Sequence, residues 1–228
     1  MSRPAAPATP AGLDPAGFIA EHTRIASAPL TPELRFHLAD DAYEVWEQSE
    51  EDLHAGGLEP PFWAFAWGGG QALARHVLDH PGVVAGKHVL DFACGCAVAG
   101  IAAARAGAAR VTASEIDAYA VAAAKANAAL NAVSIKVAHD DLVGEDRGWD
   151  VILAGDVFYE AEAGARIGAW LESLARRGAT VLIGDPGRHF LPRARLETVA
   201  RYTTPASRAL EDRDVALARV WRFCESGA

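Results

Sequence analysis

The sequence VLDFACGCAVAG (residues 89–100) joins the end of a predicted strand to a turn of small residues. Val89 and Leu90 precede an aspartate, Asp91, and the turn contains Gly95 but lacks the G-x-G-x-x-G spacing of a dinucleotide-binding loop. Such a loop would hold a pyrophosphate at the helix N-terminus, whereas a carboxylate at this point repels phosphate. The stretch therefore favours a ligand with a positively charged group, such as the ammonium or sulfonium of S-adenosylmethionine.

The sequence around this stretch alternates predicted strands with predicted helices. We expect strands at 87–92, 110–116, 134–140, 149–156, 179–185, 202–207 and 215–223, and helices at 71–80, 97–107, 117–131, 161–178 and 192–201. This alternation is typical of right-handed βαβ units and a parallel sheet covered on both faces. No helix separates the last two strands. The pattern therefore predicts a doubly wound α/β fold with a seven-stranded, mostly parallel sheet and one antiparallel edge hairpin.

Composition divides the chain into three parts. Residues 1–12 are rich in Ala and Pro and are expected to form a disordered tail. Residues 13–58 are predicted to be an N-terminal extension, with a helix at 14–27 capped by Asp14, a half-buried strand at 34–40 and an ambiguous segment at 42–53 that allows a second strand. Residues 59–225 are predicted to form the main domain.

The charge and hydropathy of the chain argue against several classes of function. The 30 acidic and 21 basic side chains give a net charge of −9, which argues against a broad nucleic-acid-binding surface. No apolar run approaches the roughly 20 residues that a bilayer-spanning helix needs, and the N-terminus lacks the apolar stretch of a secretory signal. We therefore expect a cytoplasmic, monomeric protein that binds neither nucleic acid nor a membrane.

The cysteines indicate packing rather than redox or metal chemistry. Their number, three, is odd, which fits a reducing compartment. Cys94 and Cys96 lack the spacing of a redox C-x-x-C pair, and no second ligand pair completes a zinc site. We interpret both as small packing residues in a tight turn and predict no metal.

Each of the first five predicted strands of the sheet ends in an acidic residue. These residues are Asp91, Glu115, Asp140 with its neighbour Asp141, Asp156 and Asp185. Ligands of an open doubly wound sheet bind beyond the carboxyl ends of the strands, where a carboxylate such as Glu115 can accept both hydroxyls of a ribose. Helix capping explains one or two of these residues but explains five in succession poorly. The acidic edge therefore predicts a ligand site.

The same segments resemble those of known methyltransferases. VLDFACGCAVAGIAAARAGA and VTASEIDAYAVAAAKANAALN are similar to the first two motifs of the seven-β-strand methyltransferases. The combination of WAFAWGGGQ, DVFY and GDPGR is more specific, and it resembles the lysine methyltransferases that act on the β subunit of electron transfer flavoprotein. The resemblance covers about residues 30–224. It implies a Rossmann-like methyltransferase fold, S-adenosylmethionine as the donor, and a protein substrate, with that β subunit as the expected acceptor.

The resemblance also implies roles for individual residues. Donor binding is assigned to Trp67, Asp91, Ala93, Gly95, Glu115, Ile116, Asp140, Asp141 and Asp156. Of these, Glu115 would hold the ribose, and Asp140 would lie beside the adenine amino group, with Asp141 as the weaker candidate. The catalytic residues would be Asp156 and Tyr159, which match a D-x-x-Y signature at the reacting centre. Substrate binding is assigned to Trp63, Tyr159, Asp185 and Arg188.

The aromatic stretch FWAFAWGGGQ (residues 62–71) has two interpretations. Trp63, Phe65 and Trp67 alternate, which fits one face of a strand packed on a core. The three glycines that follow also fit a mobile hinge, and a hinge beside paired tryptophans suits a lid. The sequence leaves both interpretations open.

Other site residues also have simpler explanations. Asp156 fits an N-cap of the next helix, Tyr159 fits a packing residue, and Arg188 either binds a substrate carboxylate or faces solvent. Ala93 and Ala97 stand where the family usually has glycine. Alanine fits these positions if φ is negative and is strained if φ is positive.

Methyl transfer to lysine requires a neutral amine, whereas the pKa of a free lysine is about 10.4. Asp156 is expected to orient the incoming ammonium before it loses its proton to water. Tyr159 is expected to hydrogen-bond the amine or to contact it by a cation–π interaction.

Several other functions stay open at this level. One is methyl transfer to a small-molecule amine or to another protein, such as a ribosomal component. A function of another class is a catalytically inactive binding protein on the same fold. An NAD-linked oxidoreductase is the weakest alternative, because no pyrophosphate loop supports it.

Overall fold

The structure is a computed structural model that describes residues 14–39, 61–205 and 215–224. Within these residues the helices and strands are α1 (Pro15–His22), β1 (Arg24–Ala28), β2 (Thr31–Leu38), α2 (Gly68–Asp79), β3 (His88–Phe92), α3 (Val98–Arg105), β4 (Arg110–Glu115), α4 (Ala118–Leu130), β5 (Lys136–His139), β6 (Val151–Gly155), α5 (Ala161–Arg176), β7 (Thr180–Asp185), β8 (Leu196–Pro205) and β9 (Val215–Phe223). Short 3-10 helices lie at Phe62–Ala64, Pro81–Val83 and Arg193–Arg195. The predicted tail, the segment at 42–53 and the boundary at residue 58 lie outside the described residues.

Seven strands form one mixed sheet in the order β5-β4-β3-β6-β7-β9-β8. Neighbouring strands from β5 to β7 are parallel, and β9 runs antiparallel to both β7 and β8. The chain leaves β3 toward β4 and β5 and then crosses to β6 on the other side, so the switch point lies between β3 and β6. The predicted doubly wound, seven-stranded sheet with one antiparallel edge hairpin is confirmed.

The central strands are buried on both faces, as their nearly continuous apolar sequences require. On one face, Ile152 of β6 shares a buried cluster with Trp170 and Leu171 of α5. On the other face, Leu153 of β6 shares a cluster with Leu73 of α2. Burying each large apolar side chain stabilises the fold by about 1.5–3 kcal/mol. The acidic ends of the strands therefore stand on a well-packed base.

The N-terminal helix is shorter than predicted. Asp14 caps α1 as expected, and its carboxylate accepts two N–H groups of the first turn at 3.2 Å. The helix ends at His22 instead of extending to residue 27, because residues 24–28 form β1 and pair with β2. The half-buried strand predicted from residue 34 is confirmed as part of β2, where Leu34 and Phe36 are buried.

The helix predicted at 192–201 is wrong. This segment is the turn Arg193–Arg195 followed by β8, which pairs with β9. Exposure alternates along β8 from Leu196, which is buried, and Glu197, which is exposed, as far as Thr203. A period of two is the pattern of a strand, and it outweighs the helix-favouring composition of the segment.

Amide side chains attach the β1–β2 hairpin to the sheet domain. Asn127 and Asn131, four residues apart on α4, accept the N–H groups of His37 and Arg35 at 2.7 and 3.0 Å. Gln71 of α2 accepts an N–H group of the turn between β1 and β2 at 3.1 Å. All three amides are buried, so breaking these hydrogen bonds would leave polar groups without water as a substitute partner.

The three glycines of the aromatic stretch form the first turn of α2 and are not a mobile hinge. This turn packs against the ends of β6 and β7, and a Cβ on Gly69 would lie 2.2 Å from the carbonyl oxygen of Gly184. The glycines thus permit a close approach of two backbones. The aromatic residues before them form the 3-10 helix Phe62–Ala64 and the extended N-cap Trp67, so they are not a strand. The expected packing on a core is confirmed for Trp63 and Phe65, which are buried in one hydrophobic cluster.

No helix in the described part of the chain combines the length and the apolar composition needed to cross a membrane.

We predict that Gly69→Ala destabilises the protein by about 1–3 kcal/mol or more, because the added methyl group overlaps the backbone of β7. Thermal denaturation measures the effect. Gly68→Ala is the matched control, since a Cβ there meets only the Ala218 methyl at an ordinary 3.7 Å. It should be neutral or slightly stabilising. Equal melting temperatures for the two variants would contradict this packing.

Candidate active site

A cleft that is open to solvent lies at the carboxyl ends of β3 and β6. It is lined by the start of α2 with the segment before it, by the turn between β3 and α3, and by the end of β6. Five of the predicted donor-binding residues line it: Trp67, Asp91, Ala93, Gly95 and Asp156. The switch point of the sheet is therefore the place where the acidic residues of the central strands face a concave surface.

Asp91 is a buried carboxylate in this cleft, only 3% exposed. Its Oδ2 accepts the N–H of Gly100 in the first turn of α3 at 2.7 Å, and a Cβ at position 100 would lie 2.8 Å from that oxygen. Among the described residues, Oδ1 has no hydrogen-bond partner. Burial raises the pKa of Asp91 to about 8, the Gly100 N–H opposes the rise, and the charge of Glu115 adds to it. A cation beside Oδ1 would relieve this unfavourable environment.

The turn after β3 is held in a left-handed conformation. Ala93, Gly95 and Ala97 have φ values of 50°, 49° and 59°. Alanine thus stands at two positions where φ is positive, which costs roughly 1–2 kcal/mol per residue. Asn127 helps to hold the turn, because its side-chain N–H donates to the carbonyl of Cys96 at 3.0 Å.

Glu115 also supports the turn. Its Oε2 accepts the N–H of Gly95 at 2.9 Å and its Oε1 accepts the N–H of Ile116 at 2.8 Å. Burial raises the pKa of Glu115, and these two hydrogen bonds oppose the rise. Its contact with a ribose stays a prediction.

The remaining predicted donor-binding residues, Ile116, Asp140 and Asp141, lie beyond the lining of the cleft. Ile116 is exposed next to Glu115. Asp140 pairs with Arg147 at 2.9 Å, and Asp141 lies 3.4 Å from Arg166. The donor contacts of all three residues stay predictions.

Asp156 lies at the end of β6 in a cluster that the sequence did not predict. Its Oδ2 accepts the N–H of Gly70 at 2.8 Å, and its Oδ1 pairs with Nη1 of Arg188 at 2.5 Å. The same Nη1 lies 3.4 Å from Oδ2 of Asp185, which is completely buried. Arg188 thus contacts two carboxylates and does not simply face solvent. Its contact with substrate, like that of Asp185, stays a prediction.

The simpler explanations of Asp156 and Tyr159 are wrong. Glu160 is the N-cap residue of α5, so Asp156 does not cap that helix. Tyr159 is 60% exposed and its ring lies 6.0 Å from that of Phe62, so it is not a core packing residue. Trp63, in contrast, is buried and stacked on Tyr119 at 6.4 Å. Its predicted contact with substrate is untested.

Sequence reasoning missed several contributors to the site. Phe62 is 41% exposed beside Tyr159 and accepts the indole N–H of Trp67 on its carbonyl at 2.8 Å. Its position directly before WAFAWGGGQ could have indicated a role in the site. Gly70 and Gly100 contribute backbone N–H groups, and each is the third residue of a helix that begins at the cleft. Glycine early in a helix is unusual enough to have suggested a close approach.

Cys94 and Cys96 are free, buried thiols, as the packing interpretation requires. Burial raises the pKa of Cys94 well above its usual value and that of Cys96 to about 12. Both are therefore unreactive thiols at neutral pH.

The residues of the cleft fit S-adenosylmethionine. Asp91 is a buried carboxylate without a cationic partner among the described residues, and this donor carries both an ammonium and a sulfonium. Asp91, Ala93 and Gly95 would hold its methionine portion, with Glu115 next along the sheet edge. A phosphate-bearing cofactor would instead meet the carboxylates of Asp91 and Asp156.

Comparison with known proteins agrees with this chemistry. Residues 71–157 match the family model described as ribosomal protein L11 methyltransferase (PrmA). The electron transfer flavoprotein beta subunit lysine methyltransferase of Xenopus laevis is 39% identical over 217 residues, 92% of this chain and 87% of that protein. The corresponding Homo sapiens protein is 35% identical over 223 residues, 92% and 83% of the two chains. The precorrin 8w decarboxylase structure from Methanobacterium thermoautotrophicum has the same fold, with a TM-score of 0.51 at 12% identity. The superposition covers 67% of this chain and 89% of the decarboxylase chain.

Fold, cleft and relatives together define the class of the protein: it is a methyltransferase, and S-adenosylmethionine is its methyl donor. The length and identity of the matches also fix the group within that class. The chain belongs to the electron transfer flavoprotein β subunit lysine methyltransferase family.

We predict that Ala93→Gly stabilises the protein by about 0.5–1 kcal/mol, because glycine removes the strain of a positive φ. Chemical denaturation measures the change. Ala132→Gly is the matched control, since Ala132 is also exposed, has a φ of 53° and lies outside the cleft lining. Both variants should be stabilised by similar amounts. A loss of stability in Ala93→Gly alone would contradict the strained turn.

We predict that Asp91→Asn raises stability at pH 8 by more than about 1 kcal/mol and weakens binding of S-adenosylhomocysteine at least about tenfold. The folded-state pKa, about 8, exceeds the usual value of an aspartate. The native state therefore binds the extra proton between about pH 4 and pH 8, and wild-type stability falls as pH rises through that window. Denaturation at pH 5 and pH 8, with calorimetry of the ligand, measures both effects. A stability difference independent of pH would contradict the raised pKa.

Proposed function

We propose that the protein is a protein-lysine N-methyltransferase that methylates the β subunit of electron transfer flavoprotein. The observation that carries this proposal is the similarity to the Xenopus laevis relative, which extends over 92% of the chain. The PrmA model, in contrast, matches residues 71–157. This range contains the turn between β3 and α3 and ends within the D-x-x-Y segment. The similarity to the lysine methyltransferases therefore extends on both sides of residues 71–157, beyond the range that the PrmA model matches.

An aromatic mouth at the cleft supports a lysine acceptor. We define it as Phe62, Trp67 and Tyr159. The ring of Phe62 lies 6.1 Å from that of Trp67 and 6.0 Å from that of Tyr159. Aromatic faces pack against the methylene chain of lysine and attract its ammonium through cation–π contacts. Trp67 belongs both to this mouth and to the lining of the cleft, so the mouth leads toward Asp156.

The chemistry that the site must support is an in-line displacement. When bound, S-adenosylmethionine supplies an activated methyl carbon, which forms a bond to the lysine Nε as its bond to sulfur breaks and the electron pair stays on sulfur. Asp156 attracts and orients the acceptor ammonium, which loses a proton to water before it attacks. Tyr159 orients the amine from the exposed side of the mouth. The chain thus contributes positioning and desolvation rather than a covalent intermediate.

We further propose that the protein works in the cytoplasm. The free thiols of Cys94, Cys96 and Cys224, the last of them exposed, support a reducing compartment.

We predict that the purified protein methylates the purified β subunit on lysine. The subunit is incubated with S-adenosylmethionine and analysed by intact-mass and peptide mass spectrometry. Wild type should add methyl-group mass increments, and Asp91→Asn should lose at least about 90% of the rate because donor binding is weakened. Replacing the modified lysine by arginine in the substrate should abolish the increment.

Ribosomal protein L11 and a small-molecule fraction of a cell lysate serve as competing acceptors in the same assay. Transfer to either of these at a higher kcat/KM than to the β subunit would contradict the proposed substrate. Binding of the donor with no transfer to any acceptor would support a binding protein instead.

A further inference from the structure

We propose that Arg188 is a positioning residue that clamps the Asp156 carboxylate and keeps it ionised for the acceptor amine. The part of this inference that concerns the acceptor rests on the proposed function. The clamp itself is a property of the folded chain and is testable without any methyl transfer.

The loop after β7 aims Arg188 at Asp156. Oδ1 of the completely buried Asp185 accepts the N–H groups of Gly187 and Arg188, both at 2.6 Å. These bonds close a tight turn directly at the strand end. The Arg188 side chain therefore points back across the sheet edge, where its Nη1 reaches Oδ1 of Asp156 at 2.5 Å.

Asp156 is held from three sides in a backbone conformation that is uncommon for residues other than glycine. Its φ is 60°, in the left-handed region. Its N–H donates to the Gly184 carbonyl at 2.8 Å, and its Oδ2 accepts the Gly70 N–H at 2.8 Å. Non-glycine residues persist in such conformations when the surroundings over-determine them, and such residues cluster at functional sites. Arg188 supplies the third contact, to the remaining oxygen.

The charges around Asp156 are mostly negative, so Arg188 is needed to stabilise its ionised form. Two further carboxylates face it, Asp185 from β7 and Asp91 from β3. The neutral Cys96 thiol lies on the turn after β3, and α2 contributes the backbone N–H of Gly70. Among the described residues, Arg188 is the one cationic side chain paired with Asp156. Burial raises the pKa of Asp156, and the Arg188 guanidinium opposes that rise.

The cluster has the charge that a lysine acceptor requires. Two carboxylates, Asp156 and Asp185, share one guanidinium, so the ionised cluster keeps one negative charge. A single ammonium neutralises it. Without Arg188, Asp156 would be protonated at higher pH, and a neutral carboxyl group would attract the ammonium poorly.

The direct test is a double-mutant cycle on stability. We expect Arg188→Met to lower the melting temperature by roughly 5–10 °C at pH 8 and by much less at pH 5, where the unpaired Asp156 can bind a proton. Adding Asp156→Asn should restore most of the loss at pH 8. Arg222→Met is the control, because Arg222 pairs with Glu197 at 2.5 Å on the exposed edge hairpin and should show little loss at either pH. Equal losses at both pH values, with no coupling to Asp156→Asn, would overturn the clamp.

The second test is the pH profile of kcat/KM with the β subunit. Arg188→Met should move the acidic limb to higher pH by roughly 1 unit or more and Arg188→Lys should restore most of that shift, while S-adenosylhomocysteine affinity stays within about twofold of wild type. An unmoved acidic limb would overturn the role of Arg188 in acceptor binding. A wild-type protein inactive toward the β subunit would instead contradict the proposed function, and the stability cycle would still decide the clamp.

Discussion

Two carboxylates, one buried and one largely buried, each accept a hydrogen bond from the N-terminus of a helix, and the site depends on this arrangement. Asp91, the penultimate residue of β3, accepts the N–H of Gly100, the third residue of α3. Asp156 follows β6 and accepts the N–H of Gly70, the third residue of α2. The positive ends of the helix dipoles help to keep the charges in a dry environment. Glycine is needed because the helices approach so closely that a Cβ at position 100 would meet the carboxylate at 2.8 Å.

The two carboxylates differ in what balances them. Asp156 is paired with Arg188, whereas Asp91 has no cationic partner among the described residues. A methyl transferase must bring a cationic donor and an amine acceptor into one cleft, where the charges of the two reactants repel each other. One carboxylate for each reactant offsets this repulsion. The rigid sheet beneath them then fixes the distance between the two positions, which is how positioning contributes to the rate.

Local pattern predicted most of the fold and part of the site. Periodicity located β3 to β7 and the helices between them, and the acidic strand ends pointed to the cleft. Prediction from local pattern failed where contacts between residues distant in sequence determine the structure. Residues 196–201 form a strand because β9 lies beside them, and Asp156 meets Arg188 across 32 residues of sequence. The positive φ of Ala93 was equally invisible, because the strain is imposed by contacts that include Glu115 and Asn127.

The central claim is that Asp91 is an unpaired acid which the donor's positive charge converts to a carboxylate. Calorimetry of S-adenosylmethionine binding at pH 7, repeated in two buffers of different ionisation enthalpy, counts the protons exchanged. With a pKa of about 8 in the free protein, Asp91 should make the wild type release close to one proton more than Asp91→Asn, measured at donor concentrations that saturate each protein. Equal proton exchange by the two proteins would contradict the account.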